Sequence, residues 1–81
     1  MREPAIINNP VKDCLLIRLQ ESQKQNLHYI IADIHGCEVC TGKHKDASGI
    51  LPIDVDFLKR GMYLVFLISE TAYCLQTFIK T

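Results

Sequence analysis

The sequence predicts an all-β domain, a small antiparallel sandwich or barrel, and three observations carry that reading. Turn signals recur at short intervals: Asn8-Asn9-Pro10, a polar stretch over 23–26, then Gly36, Gly42, Ser48-Gly49 and Gly61. Between them lie runs rich in Ile, Leu, Val, Tyr and Phe, and short strands at roughly 8–12-residue spacing mark sandwiches and barrels. No window holds a 3.6-residue apolar period over the length a helix needs.

Taken in order, strands are expected at residues 14–19, 27–34, 37–41, 50–55, 62–69 and 72–80. Alternate residues of a strand face opposite sides. In the first, Leu15, Ile17 and Leu19 share one face, against Cys14, Leu16 and Arg18. In the second, Tyr29, Ile31 and Asp33 alternate with Ile30, Ala32 and Ile34. The third carries Val39 inward. In the fifth, Tyr63, Val65 and Leu67 can fill the core, which leaves Met62, Leu64, Phe66 and Ile68 on the other side. Helix has room only as a single turn over 56–59.

The 81 residues make one domain. A chain this short buries only about 60% of the surface its unfolded form exposes, so the core is thin. With 48% apolar residues it is not disordered. Nine basic and nine acidic side chains give zero formal net charge, which provides no footprint for nucleic acid or an anionic membrane. No segment approaches the roughly 20 apolar residues of a membrane-spanning helix. Met1-Arg2-Glu3-Pro4 lacks the apolar stretch of a signal peptide, so the chain reads as the tail of a longer exported protein.

The turn and strand signals also fall into a specific order. Asn9-Pro10-Val11-Lys12-Asp13 leads to Leu15 and Ile17. Next come Ile31, then Asp33-Ile34-His35-Gly36, with Val39 three residues later. Ile53-Asp54-Val55 precedes Leu58 and Gly61-Met62-Tyr63-Leu64-Val65, and the end is Phe78-Ile79-Lys80-Thr81. Four blocks in this order, spread over almost the whole chain, resemble the type A C-terminal sorting domain of the Bacteroidota type IX (Por) secretion system. Three positions depart from the pattern: Asn8 replaces a proline, Ala32 an aromatic and Asp56 a serine. Ala32 removes packing volume from a small core.

Each block also has local physical sense. Pro10 suits the approach to a strand because it lacks a donor. Asp33 and Gly36 bracket a tight turn, and Gly61 releases the chain into its most apolar strand. Turn chemistry alone accounts for each of these residues taken singly.

The resemblance implies an immunoglobulin-like antiparallel β-sandwich of about six to seven strands over residues 8–81, with 1–7 a linker remnant from a passenger. It implies a secretion signal and no enzyme: the carrier protein folds in the periplasm and reaches an outer-membrane carrier of the secretion system. A sortase-like peptidase then removes the domain at the surface, and the passenger stays on the cell or is released. No cofactor is implied. For recognition by the machinery we select Gly61, Tyr63, Phe78, Ile79, Lys80 and Thr81.

Other chemistry is weaker. His35, Cys37, Cys40 and His44 have zinc-like spacing, but on a regular strand Cys37 and Cys40 point to opposite faces. A redox Cys-x-x-Cys needs a helix after it, and none is expected. Cys14, Cys37, Cys40 and Cys74 allow three full disulfide connectivities, which the sequence leaves open. Ser22, Ser48 and Ser69 lack a nucleophile elbow. Asp54 and Asp56 form the one carboxylate pair, and both suit solvent; His28 and His44 read as surface residues. Two rivals follow: an immunoglobulin-like accessory binding module with no sorting role, and a small zinc protein using Cys37 and Cys40.

One feature exceeds the family pattern. The strand after Gly61 is apolar on both faces, and Leu16 breaks alternation between Leu15 and Ile17. Leu64 and Phe66, with Leu16, are therefore expected to form an exposed patch for docking to the outer-membrane carrier, the passenger domain or a second copy; burial under the domain's own loops is the alternative.

Overall fold

The computed structural model describes residues 5–19, 27–44, 49–69 and 73–81. Seven strands occur in it: β1 (Ala5–Ile6), β2 (Cys14–Arg18), β3 (Leu27–Asp33), β4 (Glu38–His44), β5 (Ile50–Asp54), β6 (Gly61–Ile68) and β7 (Tyr73–Lys80). They form a three-stranded sheet, β1-β2-β5, and a four-stranded sheet, β4-β3-β6-β7. Every strand pair is antiparallel. The fold is all-β, a small open sandwich. Six strands fall where the apolar runs place them, and the short β1 is added ahead of them.

Alternation decides what goes inside. Leu15, Ile17 and Leu19 from the β2 side, with Leu51 and Ile53 from β5, line one wall. Leu27 and Ile31 of β3, Tyr63, Val65 and Leu67 of β6, and Phe78 of β7 line the other. Leu15, Ile17, Ile31, Val65 and Phe78 are fully buried. Each such side chain contributes about 1.5–3 kcal/mol over its exposed state. Residues 56–58 form a turn closed by the Leu58 amide donating to the Val55 carbonyl at 3.0 Å, which drops both side chains into the core.

β4 departs from the expected strand. It begins at Glu38 and runs to His44, and its pairing with β3 shifts register between Ile31 and Ala32: Ile31 faces Cys40, while Ala32 faces Glu38. Val39 is thus the extra residue of a β-bulge, and it is 38% exposed rather than buried. The expectation that Val39 enters the core is corrected by this slip, which turns Cys40 toward the core instead.

Farther along the same ladder, Tyr29 lies directly opposite Gly42. A Cβ at residue 42 would fall inside the van der Waals surface of the Tyr29 ring. The ring takes the place of the missing side chain, a familiar remedy for glycine in a sheet.

Two edges are protected in different ways. Val55 donates to the Asp13 carbonyl and Leu19 donates to the Gly49 carbonyl, so odd-numbered residues of the β5 segment turn their backbone toward β2. Pro52 therefore points its donorless nitrogen outward, where it blocks pairing at no internal cost. The far edge of the larger sheet is held by the chain's opening segment, treated below.

Gly42→Ala is expected to lower stability by about 1–3 kcal/mol through overpacking against Tyr29. Urea denaturation checks this, and Tyr29→Ala in the same chain should remove most of the Gly42→Ala penalty.

Candidate recognition surface

The residues picked for recognition converge at one corner of the sandwich, but they differ in exposure. Tyr63 and Phe78 are register partners on β6 and β7, and their rings stack at 5.7 Å with a 22° interplanar angle. Phe78 is fully buried and Tyr63 nearly so. The Tyr63 hydroxyl donates to the Lys59 carbonyl at 2.7 Å, which satisfies its one polar atom. Both residues support the surface from beneath and offer a partner no contact area.

Gly61 starts β6 with φ +155° and open space around its Cα, opposite Lys80. Lys80 is also buried: its stem is covered while Nζ donates to the Thr81 carbonyl at 2.9 Å. Ile79 and Thr81 are the exposed members of the group.

A short strap holds this corner. Val11 forms a parallel bridge with Lys80. The Val11 amide donates to the Ile79 carbonyl at 2.7 Å, and the Thr81 amide donates to the Val11 carbonyl at 2.8 Å. The Thr81 hydroxyl also donates to that carbonyl at 3.3 Å. Asn9 adds a side-chain cap, its Oδ1 accepting from the Ile79 amide at 3.0 Å. Asn8, one residue earlier, serves the other sheet: its Nδ2 donates to the Cys14 carbonyl at 2.7 Å and its Oδ1 accepts from the Leu16 amide at 2.9 Å. The Asn9–Pro10 peptide is cis. Reading the residues singly missed this convergence, because Asn9 and Ile79 are 70 positions apart.

The proposed patch residues divide between two sides. Leu64 and Phe66 lie half-buried on the outer face of the four-stranded sheet, beside Ile30 and the small, buried Ala32. Met62 and Ile79 are paired on that face, and Ile68, Tyr73 and Leu75 extend it, all five exposed. Leu16 sits opposite Pro52 on the outer face of the other sheet, so it is not part of the same surface.

The β3–β4 turn shows how Asp33 and Gly36 act. Asp33 Oδ1 accepts from the amides of His35 at 2.9 Å and Cys37 at 3.0 Å. Its carbonyl accepts from Gly36, which takes φ +85°. The Asp33 carboxylate thus takes two amides of this turn and the Asp33 carbonyl a third.

Among the described residues, no group of three or more His, Cys, Asp or Glu side chains is placed to share a metal ion. No two of the four cysteines are joined by a disulfide. Burial pushes the Cys40 thiol above its usual value, with Asp54 and Glu38 adding to the effect. Burial likewise raises Tyr29, with Cys40 nearby as the second cause. His28 Nε2 meets the Thr41 hydroxyl at 3.0 Å, and Asp54 Oδ1 accepts from the Asp56 amide at 3.0 Å. Neither pair forms a catalytic arrangement with a third group.

These features define a small open β-sandwich domain with a tied-down terminal strand, an architecture that by itself hosts many functions. The profile of the secretion system C-terminal sorting domain family matches residues 5–81. The chain belongs to that family, the C-terminal sorting signals of type IX secretion. Comparison with curated proteins returns no match. Membership means a signal read by the type IX machinery, attached to a passenger on its N-terminal side and exported to the cell surface or beyond. The family is not a family of enzymes, and no helix among the described residues is long and apolar enough to cross a membrane.

Two outcomes follow. Phe78→Ala should cost about 3–5 kcal/mol of stability, because it empties a fully buried site; thermal or urea unfolding reads this directly. Raising the pH should also weaken the fold. Cys40 and Tyr29 are both held neutral in the folded state, so their contribution is complete below their ordinary values of 9.0 and 10.0 and is lost as pH rises through the higher folded values. The urea midpoint should fall between about pH 8 and pH 11, and Cys40→Ala should flatten the first part of that fall.

Proposed function

We propose that this domain delivers its passenger to an outer-membrane carrier of the type IX system after transit through the periplasm, and that a sortase-like peptidase then detaches it. The family match over residues 5–81 carries this reading. Within it, Ile79 and Thr81 are the residues the machinery touches, and Gly61, Tyr63, Phe78 and Lys80 shape the strand that presents them.

We assign the outer face of the four-stranded sheet to the same carrier. Met62 pairs with Ile79 on that face, and Leu64, Phe66 and Leu75 continue the surface from the terminal strand, with Thr77 opposite Leu64 as a polar member. The stretch carries no charge between Tyr73 and Thr77. The apolar part of this face, on β6 and β7, suits an apolar partner surface and resists solvation as a free monomer, and Glu38, Thr41 and Lys43 of β4 border it.

The decisive experiment fuses the 81 residues behind a signal-peptide-bearing fluorescent reporter in a Bacteroidota strain with or without a working type IX translocon. Export only with the translocon is the expected result. Reporter held in the periplasm of both strains, with the domain folded, would leave an accessory binding module as the better account. In the exporting strain, Ile79→Asp and Phe66→Lys should each lower export at least roughly tenfold, with the unfolding midpoint changed little at the exposed Ile79 position and the half-buried Phe66 variant shown to be folded by circular dichroism. Full export of both variants would remove the assignment of these surfaces.

A further inference from the structure

The opening segment of the domain reaches across the sandwich. β1 pairs with β2 in the smaller sheet, and the Ile7 amide continues that pairing to the Leu16 carbonyl at 2.9 Å. Asn8 keeps its side chain on β2 with two hydrogen bonds. One residue later the chain has changed sheets: the Asn9 side chain and the Val11 backbone are bonded to the terminal strand. Two adjacent asparagines therefore divide the work, one fastening each sheet.

The bonds to the terminal strand are of a particular kind. Ile79 turns both its amide and its carbonyl away from β6, toward the sheet edge. Without the strap those groups, and the Thr81 amide, would be held on one side only by neighbours along their own strand. Backbone edges left open in this way fray and exchange readily. The groups that close this one come from residues 9–11, the part of the domain nearest the passenger.

We propose that Asn9 is a positioning residue for the sorting signal: by capping the Ile79 amide it holds the terminal strand in the one arrangement that the secretion machinery reads. The signal is then composite, built from residues 9–11 and 79–81 together, and a peptide containing the closing strand alone lacks it. This inference rests on the sorting function proposed above.

The test compares Asn9→Leu, Asn9→Asp and Asn8→Leu in the full chain. Amide hydrogen exchange is followed at Ile79 and Thr81, and export is followed in the reporter fusion. Asn9→Leu removes the acceptor, so the Ile79 amide should exchange roughly five- to tenfold faster, the factor expected for one lost hydrogen bond. Asn9→Asp keeps an oxygen acceptor in place and should restore protection. Asn8→Leu loses bonds to β2 but none to β7, and Ile79 exchange should stay at the parent rate.

Export should follow the exchange of Ile79: low for Asn9→Leu, restored for Asn9→Asp and retained for Asn8→Leu when all three are folded by circular dichroism. Unchanged Ile79 exchange in Asn9→Leu would overturn the clamp. Equal export loss in the two leucine variants would show a general stability effect and would overturn the positioning role. A parent fusion that is not exported at all defeats the sorting function, and the exchange measurement still judges the clamp on its own.

Discussion

A sandwich of two small sheets is held together mainly by the apolar surface between them, and with 81 residues that surface is limited. Its weak points are the sheet edges, where backbone donors and acceptors have no neighbouring strand. In this protein the most consequential edge is that of β7, because β7 ends at the residues proposed above for recognition. The tie from Asn9 and Val11 to Ile79 and Thr81 closes that edge. It also brings Val11, a fully buried side chain, into the core beside Phe78 and Val55. Packing and hydrogen bonding at this corner are thus the same event, and the arrangement of the exposed terminal residues depends on both.

The division between inside and outside follows from strand alternation, and its exceptions carry the functional content. The inner faces hold a continuous apolar core with Tyr63 as its one aromatic hydroxyl, and that hydroxyl is satisfied by the Lys59 carbonyl. On β6 and β7 the outer face of the larger sheet is largely apolar as well, from Met62 and Ile79 at one end to Ile68 and Tyr73 at the other, with Thr77 among them. A sheet with one solvated face normally places polar residues there. Retaining Met62, Ile68, Leu75 and Ile79 in water is unfavourable for an isolated monomer, and the cost is offset when a partner covers them. That fits a domain whose task is to be bound during transport. The buried, stacked pair Tyr63 and Phe78 joins β6 to β7 beneath this face, next to Ile79.

The β3–β4 hairpin sets different surroundings for its two cysteines. Cys37 lies at an exposed turn whose amide is taken by Asp33, whereas Cys40 is turned inward by the β-bulge. On a regular strand Val39 would have gone inward and Cys40 outward. The extra residue reverses that assignment, leaves Val39 in solvent and raises the pKa of Cys40 by burying it. The bulge sits within the hairpin that follows Asp33, where Gly36 has already been given to a turn.

The approximate positions of the six main strands were legible in the sequence alone, because period-two alternation and glycine, proline and asparagine turns are local signals. Tyr63, Val65 and Leu67 could be assigned to the core and Leu15, Ile17 and Leu19 to one shared face. The order of the motif blocks was equally legible, since it needs only spacing. Three features were decided by the tertiary structure. The slip between Ile31 and Ala32 depends on the strand opposite, so Val39 could not be placed from its own neighbours. Leu16 was separated from Leu64 and Phe66 only by the assignment of β2 and β6 to different sheets. Asn9 gained its partner only when the two ends of the chain met, because a hydrogen bond across 70 positions leaves no local pattern: it exists once the core has brought both edges to the same corner.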